Sequence, residues 1–244
     1  MNTTKESPHR ADRNIAFIAG TLFIVATAAS LLGSNFTGSI LHAPDYLDKI
    51  SSNGNRMMLG ALLSFLAAVA SSGIAIALYP VLKKYNEGLA LGAVGFRLME
   101  GIFYTAGTIC LLSVFTLSRE FVNAGGQVTS FQTLSHLLLT AHDLAGFVFG
   151  VIAFCLGALM YYAVFYRSKL IPRWLSVWGL VAILLLLSAA FFTIFDGEPF
   201  SISGKLIFLA FPIALQEMVL AGWLIVKGFN PSTIAAGFDK AGVN

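Results

Sequence analysis

Three ionisable side chains stand inside stretches otherwise fit only for hydrocarbon: Arg97 and Glu100 in the apolar run 89–117, and Glu217 in the run 206–226. A charge at the centre of a spanning helix costs about 2.5 to 3.5 kcal/mol on insertion scales, so such residues turn toward a protein interior or a wet cavity. Glu100 lies ten residues beyond Ala90 and Glu217 ten residues before Lys227. At 1.5 Å per residue both sit about 15 Å deep, close to the bilayer midplane. Arg97, three residues from Glu100, is within reach of either carboxylate, so one guanidinium serving two carboxylates leaves one carboxylate spare. Arg97, Glu100, Gly101, Tyr104 and Thr108 share a helix face polar enough to line a cavity. A binding site for a small solute, an ion or a proton is therefore expected at Arg97, Glu100, Glu217 and Tyr104.

His142 and Asp143 belong elsewhere. They precede Arg167 by more than twenty residues, which puts them about 30 Å from the basic end of their span and at its outer mouth. There the pair reads either as a helix cap or hydrogen-bonded couple, or as an entrance that His142 would gate between about pH 5 and 8. A metal held jointly by Glu100, His142 and Glu217 would have to bridge about 15 Å with bonds of about 2 Å, so no metal is expected. No H-E-x-x-H, G-x-S-x-G, P-loop or dinucleotide fingerprint occurs, and no cofactor is expected. Ser71 and Ser72 offer hydroxyls without a histidine at their depth, a poor basis for nucleophilic catalysis. Cys110 and Cys155 lie singly in apolar runs and read as inert thiols.

These residues need spanning helices to position them. The chain of 244 residues is 57% hydrophobic and 11% charged, against about a quarter charged in soluble domains, and it shows six apolar runs. A core about 30 Å thick takes about 20 helical residues, which each run supplies. The expected spans cover residues 14–33, 56–79, 89–117, 134–166, 174–195 and 206–226, the second ending at Pro80. A cleaved signal peptide is the rival for the first span, which continues apolar past the Ala26-Thr27-Ala28 motif. No stretch remains for a soluble domain. Lys5, Arg10, Arg13, Lys83, Lys84, Arg167, Lys169, Arg173, Lys227 and Lys240 fall on one side, while Lys49, Arg56, Arg119 and Lys205 fall on the other. This bias places both termini in the cytoplasm. The basic residues, net charge +3, are spread over loops and form no nucleic-acid stripe. The expectation is an all-α bundle of six transmembrane helices, with a disordered tail at 1–13, one membrane domain at 14–230 and a flexible tail at 231–244.

Two faces carry packing signals. Ala210, Ala214, Glu217 and Ala221 form a small-residue stripe, and Asp143, Gly146, Gly150 and Gly157 share a face with a GxxxG spacing. Several stretches also look familiar together: Ala77-Leu78-Tyr79-Pro80-Val81-Leu82-Lys83-Lys84 with Asn86-Glu87, then Phe96-Arg97-Leu98-Met99-Glu100, then Ile171-Pro172-Arg173-Trp174-Leu175-Ser176. With Gln216-Glu217-Met218 and Trp223-Leu224-Ile225-Val226-Lys227-Gly228-Phe229-Asn230 they resemble the bacterial membrane family catalogued as "domain of unknown function 4386", over residues 14 to 230. The resemblance implies a six-span plasma-membrane protein of bacterial type and brings no catalytic or binding residues with it.

Three functions fit these residues in descending order. A protein that binds or moves a small solute, ion or proton uses the midplane charges. A structural or regulatory membrane protein needs only their packing. An intramembrane enzyme lacks a nucleophile, base and oxyanion donors at one depth. The lipid bilayer is a partner in every case, and the oligomeric state is not legible.

Overall fold

Pro8 opens the first helix, where a proline lacks only an N–H that a first-turn residue leaves unbonded anyway. The computed structural model describes residues 8–41, 43–126, 129–196 and 207–233. Its helices are α1 (Pro8–Leu41), α2 (Tyr46–Ser52), α3 (Gly54–Leu82), α4 (Glu87–Asn123), α5 (Thr129–Asp143), α6 (Val151–Ser168), α7 (Arg173–Asp196) and α8 (Ile207–Val226). A π-helical segment, Leu144–Gly150, joins α5 to α6 without a break, so that the three make one long span. Six helical segments are long and apolar enough to cross a membrane, and no strand occurs among the described residues.

Several boundaries differ from the sequence reading. The first helix is longer at both ends than 14–33. Residues 8–13, assigned to a disordered tail, are helical because Asp12 is buried against Lys84 (3.1 Å) and Arg13 reaches the far end of α8. Beyond Gly33 the helix continues because Thr37 bonds back to the Gly33 carbonyl and packs on Gly60 of α3. Pro80 does not end α3: it costs one ladder bond in the last turn, and the helix runs on to Leu82. Asn86 caps α4 by accepting from the Leu89 N–H at 2.8 Å. The fourth span begins at Thr129 and holds a π-helical turn where a regular helix was expected. The turn read at 196–199 and residues 234–244 of the expected tail lie outside the described residues, apart from Asp196, which ends α7.

The spans form a ring. α1 packs on α3, α3 on α4, α4 on α6, α6 on α7 and α7 on α8, and α8 closes the circle on α1. Long side chains fill the interior of the ring: Arg97, Tyr161, Tyr162, Phe23 and Phe165 are all completely buried. At one end both terminal segments meet the α3–α4 and α6–α7 turns. Arg13 donates to the Ile225 and Val226 carbonyls (2.7 and 3.2 Å), Tyr85 to the Thr233 carbonyl (2.9 Å) and the Asn230 N–H to the Leu170 carbonyl (2.9 Å). At the opposite end a second apolar cluster, including Ile40, Ile50, Met57 and Phe121, seats the short helix α2 against α3 and α4.

Candidate functional site at the centre of the ring

Arg97 and Glu100 occupy adjacent turns of α4, where an i, i+3 spacing lets side chains meet. Arg97 Nη1 stands 3.1 Å from Glu100 Oε2, close enough for an ion pair, though not aligned as a hydrogen bond. The other carboxylate oxygen, Oε1, accepts from the Ser71 hydroxyl of α3 at 2.7 Å, and Ser72 donates to the Arg97 carbonyl at 3.1 Å. Two adjacent serines of α3 thus tie that helix to the charged turn of α4. Small residues make the room. A Cβ at Gly157 of α6 would lie 3.0 Å from Arg97 Cγ, and one at Gly101 would lie 2.5 Å from the Ser72 oxygen. Phe154 covers the guanidinium, whose carbon sits 4.6 Å from the ring centroid, a desolvated cation–π contact worth about 2 kcal/mol.

Glu217 reaches the same interior from α8 and is treated differently. Its Oε2 accepts one long hydrogen bond, 3.4 Å, from Thr27 of α1, and its Oε1 has no hydrogen-bond partner. It is 9% exposed, against 1% for Arg97 and 2% for Glu100. The charges of Arg97 and Glu100 act on Glu217, yet no ion pair joins it to Arg97. One guanidinium is committed to one carboxylate. No protein cation is in ion-pair contact with the second carboxylate.

Tyr104 lies one turn beyond Glu100 on α4, half-buried, with its ring against the π-helical segment. A Cβ at Gly150 would meet the ring at 3.0 Å, and one at Gly146 at 3.9 Å. The two glycines therefore form the notch that accepts Tyr104. His142 Nδ1 donates to the Gly107 carbonyl at 2.9 Å, which fixes the Nδ1–H tautomer and joins α5 to α4. Gly107 is seven residues beyond Glu100, about 10 Å along the helix. Arg97 and Glu100 are paired on α4 with Tyr104 one turn away, Glu217 is held by Thr27 in the α1–α8 seam, His142 bonds to Gly107 in the α4–α5 seam, and Asp143 ends α5.

Sequence reasoning did not find the neighbours of the cluster. Thr27, Ser71, Phe154 and Tyr161 come from three different spans, α1, α3 and α6, and only packing brings them together. Gln216 is a further example: it accepts from the Tyr162 hydroxyl and donates to the Leu175 carbonyl at 3.1 Å, linking α6, α7 and α8. Its adjacency to Glu217 was the one available signal. Among the described residues no three His, Cys, Asp or Glu side chains are placed to hold a metal. At the end opposite the termini, an open cleft of about 610 Å³ lies between Asp45, Asp48, Gln132 and His136, with Asp45 held by Lys49 at 2.9 Å.

A closed ring of six apolar helices around a charged centre defines an integral, multi-pass membrane protein. The family model described as Domain of unknown function (DUF4386) matches residues 18–228, and the chain belongs to that family. No curated protein and no solved structure matches it.

Proposed function

We propose that this protein lies in the cytoplasmic membrane with both termini inside, and that it binds a proton or a small monovalent cation on Glu217 as a step in translocating it. The observation that carries the reading is the carboxylate of Glu217, buried at span depth with one oxygen unpartnered and no contacting cation. A carboxylate so placed is costly unless a proton or cation completes it. The Arg97–Glu100 pair has the opposite character. Both Glu100 oxygens are engaged, so the pair holds α3 against α4 and supplies a fixed field beside the exchangeable site. The gathering of Arg13, Lys84, Lys169 and Arg173 with the termini and the two short turns supports the cytoplasmic assignment for that end.

The test is modification by a hydrophobic carbodiimide, which attacks a protonated carboxyl in an apolar setting. Purified protein in detergent should take one label at Glu217, lost in Glu217→Gln and slowed by sodium or lithium ions. Labelling unchanged in Glu217→Gln would end this assignment. An entrance role for His142 and Asp143 stays a separate proposal, resting on their depth and not on contact with the cluster.

A further inference from the structure

One face of α1 changes character at the level of Glu217. Ala16, Ala19, Phe23, Thr27, Ser30 and Ser34 recur at helical spacing, so all turn the same way, and Phe23 and Thr27 show that this way is into the ring. Ala16, Ala19 and Phe23 are completely buried; Thr27 is half-buried, Ser30 is exposed and Ser34 is half-buried. Phe17, Ile24 and Leu31, with Leu32 beside them, form a different stripe on α1, exposed and wholly apolar.

The hydroxyls add a second observation. Most serines and threonines of the spans satisfy themselves within their own helix, as Thr21 does on Phe17, Thr37 on Gly33, Ser64 on Gly60, Thr105 on Gly101 and Ser188 on Leu184. Thr27 instead donates to Glu217, and Ser30 and Ser34 make no hydrogen bond to any described residue. A hydroxyl at this depth without a protein partner calls for water. Across the seam α8 presents Ala214 and Ala210, small and half-buried, at one and two turns from Glu217. In the other direction the way is shut. Phe23 packs edge-on against Tyr161 (6.3 Å between centroids), Tyr161 against Phe165 (6.0 Å) and Phe165 against Phe229 (6.3 Å), all buried.

Building on the assignment of Glu217, we infer that a water-filled half-channel runs between α1 and α8 from the end opposite the termini, past Ser34, Ser30 and Thr27, to the free oxygen of Glu217, and that it admits protons and small monovalent cations. The aromatic stack from Phe23 to Phe229 is its closed inner gate. Ser30 and Ser34 are positioning residues: their hydroxyls hold the water file, and Thr27 hands it to the carboxylate.

Cysteine reactivity tests the path. In full-length protein carrying Cys110→Ala and Cys155→Ala, the single changes Ala19→Cys, Ser30→Cys, Leu32→Cys, Ser34→Cys and Gly146→Cys are exposed in proteoliposomes to a cationic methanethiosulfonate. That reagent needs a hydrated thiolate. Ser30→Cys and Ser34→Cys should react at least about tenfold faster than Leu32→Cys on the lipid face and Ala19→Cys behind the gate, because an apolar setting suppresses the thiolate. Ser30→Cys reacting no faster than Leu32→Cys overturns the half-channel. So does reaction at Gly146→Cys without reaction at Ser30→Cys, which would move the path to the α4–α5 seam beside His142. Failure of the site itself looks different. Carbodiimide labelling of Glu217, measured on the same proteins, would then be absent beside a reactive Ser30→Cys, whereas a failed path leaves that labelling intact.

Discussion

Arg97 is committed to Glu100, and this asymmetry makes the two carboxylates experimentally separable. Glu100→Gln strands a buried guanidinium and Arg97→Gln strands a buried carboxylate; each should cost about 3 to 5 kcal/mol, read as a large fall in thermal stability in detergent. Glu217→Gln should cost less than about 1 kcal/mol, since the amide oxygen still accepts from Thr27 and no ion pair is broken. If Glu217→Gln proved as damaging as Glu100→Gln, Glu217 would be a packing residue and the exchangeable site would be lost. That all three charges stand inside long apolar helices was legible in the sequence, because the apolar runs on either side of each are unbroken. The choice of partner was not. Arg97 reaches both carboxylates by length alone, and what decides is the Gly157 gap, the Phe154 face and the Ser71 hydroxyl, none of which spacing along α4 reveals.

On the scale of elements, the π-helical turn is the feature that hydropathy could not show. It shifts the hydrogen-bond register of a continuous apolar span by one residue and leaves composition and length almost unchanged. Gly146 and Gly150 were visible as a GxxxG packing signal, and what they accommodate is the Tyr104 ring, with the Gly146 backbone also close to Gly107 of α4. The two glycines should respond differently. Gly150→Ala drives a Cβ to 3.0 Å from both the Ala145 carbonyl and the Tyr104 ring, and should destabilise by about 1 to 3 kcal/mol. Gly146→Ala meets its nearest neighbour at 3.9 Å and should be neutral, or gain up to about 1 kcal/mol from helix propensity. Equal melting shifts for the two variants in detergent would mean that the notch is not what holds Tyr104. Span ends were underestimated for a related reason: polar residues such as Thr37 read as loop, but a hydroxyl bonded back to the helix is compatible with continuing it. The six spans themselves were legible, since nothing but a helix hides the backbone of twenty consecutive apolar residues from lipid.

For the whole molecule, the ring closes only where the first span meets the last, and no short turn enforces that contact. Reporter fusions at Asn86, Gly125, Lys169 and Gly204 should report inside, outside, inside, outside; an outside signal at Asn86 would invert the assignment of the ends. The closure itself is locked at the terminal end by Arg13 on the α8 carbonyls, by Lys84 on Asp12 and by Tyr85 on the Thr233 carbonyl. The last of these has a pH signature. Partial burial, and secondarily the Asp12 carboxylate, push the Tyr85 phenol from its ordinary 10.0 up to about 12. The folded chain then holds the phenol proton more tightly than the unfolded chain does. The resulting stabilisation is complete below about pH 10 and is lost as pH rises through about 12, where a phenolate can no longer donate to Thr233. Wild-type protein should therefore lose thermal stability between pH 10 and 12 more steeply than Tyr85→Phe, which has no proton to release there. Parallel curves for the two proteins would show that Tyr85 titrates without loosening the lock, and would leave ring closure to Arg13 and the Lys84–Asp12 pair.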